Sequence, residues 1–142
     1  MHPLDEAIDL ELTAPGQYRG ATHPAYANMV GPFGGTTAAQ LLQAAWLHPD
    51  RLGEPVALTV NFAAPVADGE IIFQARAART NRSTQHWIME ARQGDATVAT
   101  ATAVFAVRRE TWSASEAVMP QGLPCADAVS YTHLTLPTKR IV

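Results

Sequence analysis

The residues best placed to do chemistry are the glycines of Gly31-Pro-Phe-Gly-Gly35, because they run straight into a helical pattern. From Thr36 onward apolar side chains recur at Ala38, Leu41, Leu42, Ala45 and Trp46, the i, i+3, i+4, i+7, i+8 spacing of one helix face. Thr37 and Gln40 have the spacing of a capping box, which sets the expected helix start there, and His48-Pro49 ends it. A helix start behind glycines presents unpaired N–H groups and the positive end of the helix dipole. These can hold an anion or polarise a carbonyl oxygen. The same glycines also suit plain packing, letting the chain turn and the helix approach its neighbours. The pattern alone leaves both readings open.

Such a helix needs a scaffold, and the remaining chain supplies strands. Ile8–Thr13 alternates apolar and polar as a half-buried strand does, Ala14-Pro-Gly16 turns it, and Gln17–Ala21 returns as a short second strand. His23–Asn28 is a polar loop just before the glycines. Beyond Pro55 the period is two. Val56, Leu58, Val60 and Phe62 share a face, as do Ile71, Phe73, Ala75 and Ala77, then Trp87, Met89 and Ala91, then Ala99, Ala101, Ala103, Phe105 and Val107. Asp68-Gly69, Asn81-Arg-Ser83 and Gly94-Asp95 are the turns between them. One helix and a curled antiparallel sheet have an economical solution: the sheet wraps the helix, with Ala99, Ala101 and Ala103 leaving room for close approach. The expected class is α+β.

The 142 residues suffice for one domain with a core, and 47% hydrophobic against 16% charged residues is ordinary for a globular chain. A net charge of −3 and a pI near 5.9 give no basic footprint for nucleic acid or for an anionic membrane surface. No apolar run has transmembrane length, and Met1–Ala7 lacks the basic and apolar regions of a signal peptide, so a cytoplasmic location is expected. Cys125 is alone, without a partner for a disulfide or a metal-ligand pattern around it. No metal site is expected.

From Glu110 the periodicity stops. Residues 113–128 read as a linker, and 129–142 look foreign to the rest. The first 128 residues hold 26 alanines and no lysine, whereas the tail has no alanine and the chain's only lysine, Lys139. The tail also resembles translated sequencing-adapter read-through. Residues 129–142 are therefore expected to be non-native, and the chain a fragment.

Several segments together resemble the hotdog-fold acyl-CoA thioesterases, specifically the N-terminal half of the double-hotdog type-II (TesB-like) family. Tyr18-Arg-Gly20 and Gly31-Pro-Phe-Gly-Gly35 leading into Ala38-Ala-Gln-Leu-Leu42 look like that family's approach to its central helix. Asn61-Phe-Ala-Ala-Pro65 with Asp68-Gly69 looks like the following strand and turn. Arg79-Thr-Asn-Arg-Ser-Thr-Gln-His-Trp87 and Ala99–Val107 match its short turn and closing strand. The likeness covers residues 8 to 112, which sets an expected hotdog domain of residues 1–112. Ala64 stands where the family often has a basic residue.

The resemblance implies acyl-CoA as substrate, coenzyme A entering only as part of it, and no separate cofactor. It implies that helix N-terminal N–H groups polarise the thioester carbonyl, and the matching positions are Gly34, Gly35 and Thr36. Asn28 and His23, on the loop entering the helix, are candidates for orienting a water. Asparagine cannot accept a proton, and a turn-making Asn28 and a surface His23 are the plainer alternatives. Gln85 and His86, with Arg82, are candidates for the coenzyme A phosphates. Asn61 fits a polar outer face, and Glu90 with Arg92 a cross-strand surface pair rather than an acid/base pair. In type-II enzymes the catalytic side chains lie in the second hotdog, so no residue here inherits those roles.

Three functions compete: half of an acyl-CoA thioesterase, a non-catalytic half that shapes the acyl tunnel beside a catalytic hotdog, and a hotdog hydratase or dehydratase. The last carries an Asp-x-Asn-Pro-x-x-His style loop, and Ala25–Gly31 has neither Asp nor His. A second hotdog, covalent or as another copy, is the expected partner. Sequencing the source locus across codon 128 is expected to show the frame continuing for about another domain's length. A genuine stop after Val142 would overturn the double-hotdog expectation.

Overall fold

A computed structural model describes residues 1–29 and 31–122. Cys125 and the tail 129–142 lie outside the described residues. The chain divides into a compact unit, Met1–Arg109, and a second unit, Glu110–Val142, whose described residues carry neither helix nor strand.

The first unit begins with a short helix that the periodicity does not reveal, α1 (Pro3–Ala7). Its start is closed by His2 Nδ1 accepting from Leu4 N–H and by Asp5 accepting from His2 N–H. A hairpin follows, β1 (Glu11–Ala14) and β2 (Gln17–Ala21), then a 3₁₀ turn at Pro24–Tyr26 and a two-residue ladder, β3 (Ala27–Asn28) with β4 (Gly31–Pro32). The central helix, α2, spans Gly34–Trp46. Four long strands complete the unit: β5 (Glu54–Phe62), β6 (Glu70–Thr80), β7 (Thr84–Gln93) and β8 (Ala96–Ala106).

The six-stranded sheet is antiparallel throughout, in the order β1-β2-β6-β7-β8-β5. β5 therefore pairs with β8 at the far edge and not with β6, whose other side is taken by β2. Most of the expected inner faces of β6, β7 and β8 are buried: Ile71, Phe73 and Ala75, then Trp87, Met89 and Ala91, then Ala99, Ala101, Ala103 and Phe105, whereas Ala77 is half-buried and Val107 is exposed beyond the end of β8. Together with α2 they make the α+β hotdog arrangement.

Two expectations about the helix need correction. It starts at Gly34, three residues before the expected capping box, and its N-cap Phe33 makes no side-chain cap. Thr37 and Gln40 point into the protein instead, and the buried stripe is Thr37, Gln40, Leu41, Ala44 and Ala45, one position earlier than read. Gln40 is buried because its amide donates 2.8 Å bonds to Ala7 O and Ala21 O, tying α1 and the end of β2 to the helix. The helix backbone lies closest to β6 and β7. Ala99, Ala101 and Ala103 of β8 therefore do not carry the helix's main contact. The inner face of β5 stays largely uncovered, with Leu58 and Phe62 exposed and Val60 only half-buried.

Tyr18 is 2% exposed on β2 and its hydroxyl finds no partner among the described residues; burial pushes the phenol above its ordinary pKa. Gln40 makes the sharper test of how the layers are tied. Gln40→Leu keeps the volume, removes both donors and is expected to cost about 2 kcal/mol. Urea unfolding reads this as a lower midpoint at unchanged slope.

Candidate active-site groove

The start of α2 opens onto a groove of about 510 Å³. Asn28, Gly31 and Pro32 line one side, Gly34 and Thr37 the helix side, and Phe62 with Ala63–Val66 the floor. Local chemistry builds each wall. Asn28 Oδ1 accepts from Gly31 N–H at 3.2 Å and closes the β3–β4 turn. Phe33 N–H donates to Tyr26 O at 2.7 Å, which aims the chain into the helix.

The two glycines lie inside the first helical turn, and each is held against an aromatic ring. A Cβ on Gly34 would stand 3.0 Å from the Phe62 ring, and one on Gly35 would overlap the Phe33 ring. Both rings are more than half exposed, Phe33 at 58% and Phe62 at 56%. Helix geometry leaves the Gly34 and Gly35 N–H groups without intrahelical acceptors. Only Gly34 lines the groove; Gly35 does not.

The candidate residues separate. Asn28 and Gly34 share the groove. Thr36 does not: its N–H is taken by Phe33 O at 3.0 Å, and its buried hydroxyl has no partner. The expected third polarising N–H is therefore occupied. His23 lines a different groove, of about 470 Å³, beside Glu6, Arg19 and Glu70. Its Nδ1 accepts from Ala25 N–H at 3.2 Å and its Nε2 lies 3.4 Å from Glu6, so both ring nitrogens are engaged. In that groove the hydrogen bond and charge of Glu11, with Glu70, raise the Arg19 guanidinium pKa further.

Gln85 is a structural residue rather than a ligand contact. It is 1% exposed, accepts from Leu52 N–H (2.8 Å) and the Trp87 indole (3.0 Å), and donates to Asp50 O and Thr80 Oγ. It locks the segment after α2 onto the sheet. Phe62 pairs with Ala99 and Ala99 with Ala91, so Gln85 lies six residues, about 20 Å, along β7 from the groove. Exposed Arg82 and His86 share that distant end. Asn61 is exposed opposite Thr100, and Arg92 lies 3.7 Å from Glu90, whose carboxylate accepts from Thr97, a surface arrangement.

The groove's lining contains no acid, histidine, lysine or arginine. Its polar side chains are those of Asn28 and Thr37, beside Gly34 at the helix start. Thr37 is the residue that the sequence reading assigned elsewhere. The signal was its position three residues after Gly34, on the same face. Among the described residues no cluster of three or more His, Cys, Asp or Glu is placed to hold a metal, and no helix is long and apolar enough to cross a membrane.

This helix start, set against a curled antiparallel sheet, agrees with the family comparison. Residues 23–106 match the acyl-CoA thioesterase N-terminal domain model. The chain belongs to that family. A conserved hot dog fold protein of unknown function from Alicyclobacillus acidocaldarius is 52% identical, with a TM-score of 0.83, over 89% of this chain and 48% of its own. An acyl-CoA thioesterase II from Mycobacterium marinum is 25% identical, TM-score 0.72, over 87% of this chain and 46% of its own. A phenylacetic acid degradation protein PaaI mutant from Thermus thermophilus shares the fold at 19% identity and TM-score 0.65, over 75% of this chain and 99% of its own. None of the curated proteins compared matches the chain. This thioesterase-family domain thus spans about half the length of its first two relatives and contains a whole hotdog of the size of the third.

Gln85→Leu separates a structural role from a ligand role. It is expected to lower stability by about 3 kcal/mol, because two N–H donors lose their acceptor in the interior. An unchanged urea midpoint would show that the network does not hold the segment.

Proposed function

We propose that the chain is the N-terminal hotdog of an acyl-CoA thioesterase, hydrolysing fatty or related acyl-CoA to free acid and coenzyme A, and that its groove receives the thioester. The observation that carries this reading is the lining: the helix start at Gly34 beside apolar Phe62, Ala64 and Val66, with no acidic or basic side chain among its described residues. The N–H suits a carbonyl oxygen that gains negative charge as water attacks, and the apolar wall suits the acyl carbons next to it. Asn28 can orient that water through its side chain but cannot take its proton.

Hydrolysis still requires a base, so the reacting side chains come from a second hotdog, in the intact chain or in another copy. The natural seat for it is β5, one of the two edge strands, where Val56, Leu58 and Phe62 are exposed. Arg82 and His86 lie at the other end of the sheet and do not meet the reacting end of this groove's ligand. Coenzyme A is part of the substrate, and the chemistry calls for no further cofactor. The same lining favours one variant of this reading, in which this half shapes the acyl tunnel and contributes binding alone.

Release of free thiol from acyl-CoA distinguishes these. The 142-residue chain alone is expected to give no turnover, and the chain joined to the downstream hotdog of its source locus is expected to hydrolyse acyl-CoA. If the joined protein leaves acyl-CoA of every chain length intact, the thioesterase reading fails. Turnover by the chain alone would refute the assignment of the reacting groups to a second hotdog.

A further inference from the structure

Thr37 is 2% exposed and lines the groove, yet its hydroxyl makes no hydrogen bond within the described residues. A threonine inside a helix ordinarily satisfies its hydroxyl on the carbonyl three or four residues earlier. For Thr37 those are Gly34 and Phe33, and Phe33 O accepts from Thr36 N–H. The fully buried hydroxyls without a partner among the described residues are those of Tyr18 and Thr36, so the unbonded Thr37 hydroxyl keeps access to the groove it lines. Helix side chains tilt toward the N-terminus, so Thr37 stands over the turn that holds Gly34. Gly34 has no side chain to come between them. Gly34, with a first-turn N–H that has no intrahelical acceptor, and Thr37 thus line one groove from one helical turn.

We propose that Thr37 is a substrate-binding residue, whose hydroxyl donates beside the Gly34 N–H to the carbonyl oxygen of the acyl thioester. The role rests on the thioester reading of the groove given above. Neutral donors beside the positive end of a helix select a neutral oxygen that becomes partly negative, and no charged group in the lining competes for it. The Thr37 hydroxyl, which no neighbouring group of the described residues engages, is then free to donate to the substrate.

Two coenzyme A compounds that cannot be hydrolysed test this with the 142-residue chain: a 2-oxoalkyl thioether, which keeps a ketone near the thioester position, and the plain alkyl thioether, which has none. Thr37→Val is expected to melt at the same temperature as the unaltered chain or up to about 5 °C higher, since no internal bond is lost. It should bind the ketone about 5- to 10-fold more weakly, the worth of one hydrogen bond, and the plain thioether equally well. Thr37→Ser should restore ketone binding. A lower melting temperature for Thr37→Val would show that the hydroxyl has a structural partner and overturn the proposal. Equal ketone affinity in Thr37→Val and the unaltered chain would overturn the role of Thr37 alone. Binding of neither compound by the unaltered chain would overturn the thioester reading of the groove, and this role with it.

Discussion

A single helix must cover a sheet that is too wide for it. Six strands spaced about 4.8 Å apart span about 24 Å, whereas a helix with its side chains is about 10 Å across. One helix therefore shields about two strands well, and here those are β6 and β7. Curling brings β2 to its flank, and β5 meets the helix only near its start, where Gly34 lies close to the Phe62 ring. The buried stripe from Thr37 to Ala45 records where the helix meets the sheet, and the exposed Val56 and Leu58 record where it does not.

The groove is a product of the same mismatch. It lies where the helix begins and β5 ends, bounded by the β3–β4 turn and by the segment after Phe62. A Cβ on Gly34 would stand only 3.0 Å from the Phe62 ring, so the bare glycine lets the strand end come close to the helix start. The floor is apolar and the polar groups are few and uncharged. Such a surface is suited to holding a carbonyl compound rather than to attacking one. The distant end of the sheet, where Gln85 fastens the segment after α2, is built for rigidity.

Much of the scaffold was legible in the sequence because each long strand states its own period. Phe73, Trp87, Met89 and Phe105 could be placed on inner faces from alternation alone. What alternation cannot state is which strand reaches an edge, so the apolar face of β5 reads like those of β6, β7 and β8 although most of it is open. The helix start was misplaced for a related reason. Thr37 and Gln40 have the spacing of a local cap, but Gln40 is claimed by carbonyls at Ala7 and Ala21, far away in the chain. Glycine also reads as a helix breaker, whereas Gly34 and Gly35 sit in a first turn whose amides lack partners in any case. In the groove, Asn28 and Gly34 were legible from their place before the helix. Thr37 and Phe62 were not, because their part in the groove depends on how a helix start and a strand end meet. Gln85 was read as a candidate for the coenzyme A phosphates because its four partners come from segments that the periodicity does not bring together.

The outermost strand also bears on how such a domain behaves when handled by itself. β5 offers a row of backbone N–H and C=O groups beside exposed Val56, Leu58 and Phe62, with no proline in its central stretch Val56–Phe62 to blunt it. A lone hotdog of this kind carries a ready template for indiscriminate strand addition. Its shelf life in solution then depends on protein concentration as much as on the strength of its core. A cognate partner along that edge would act as an internal chaperone for the fold.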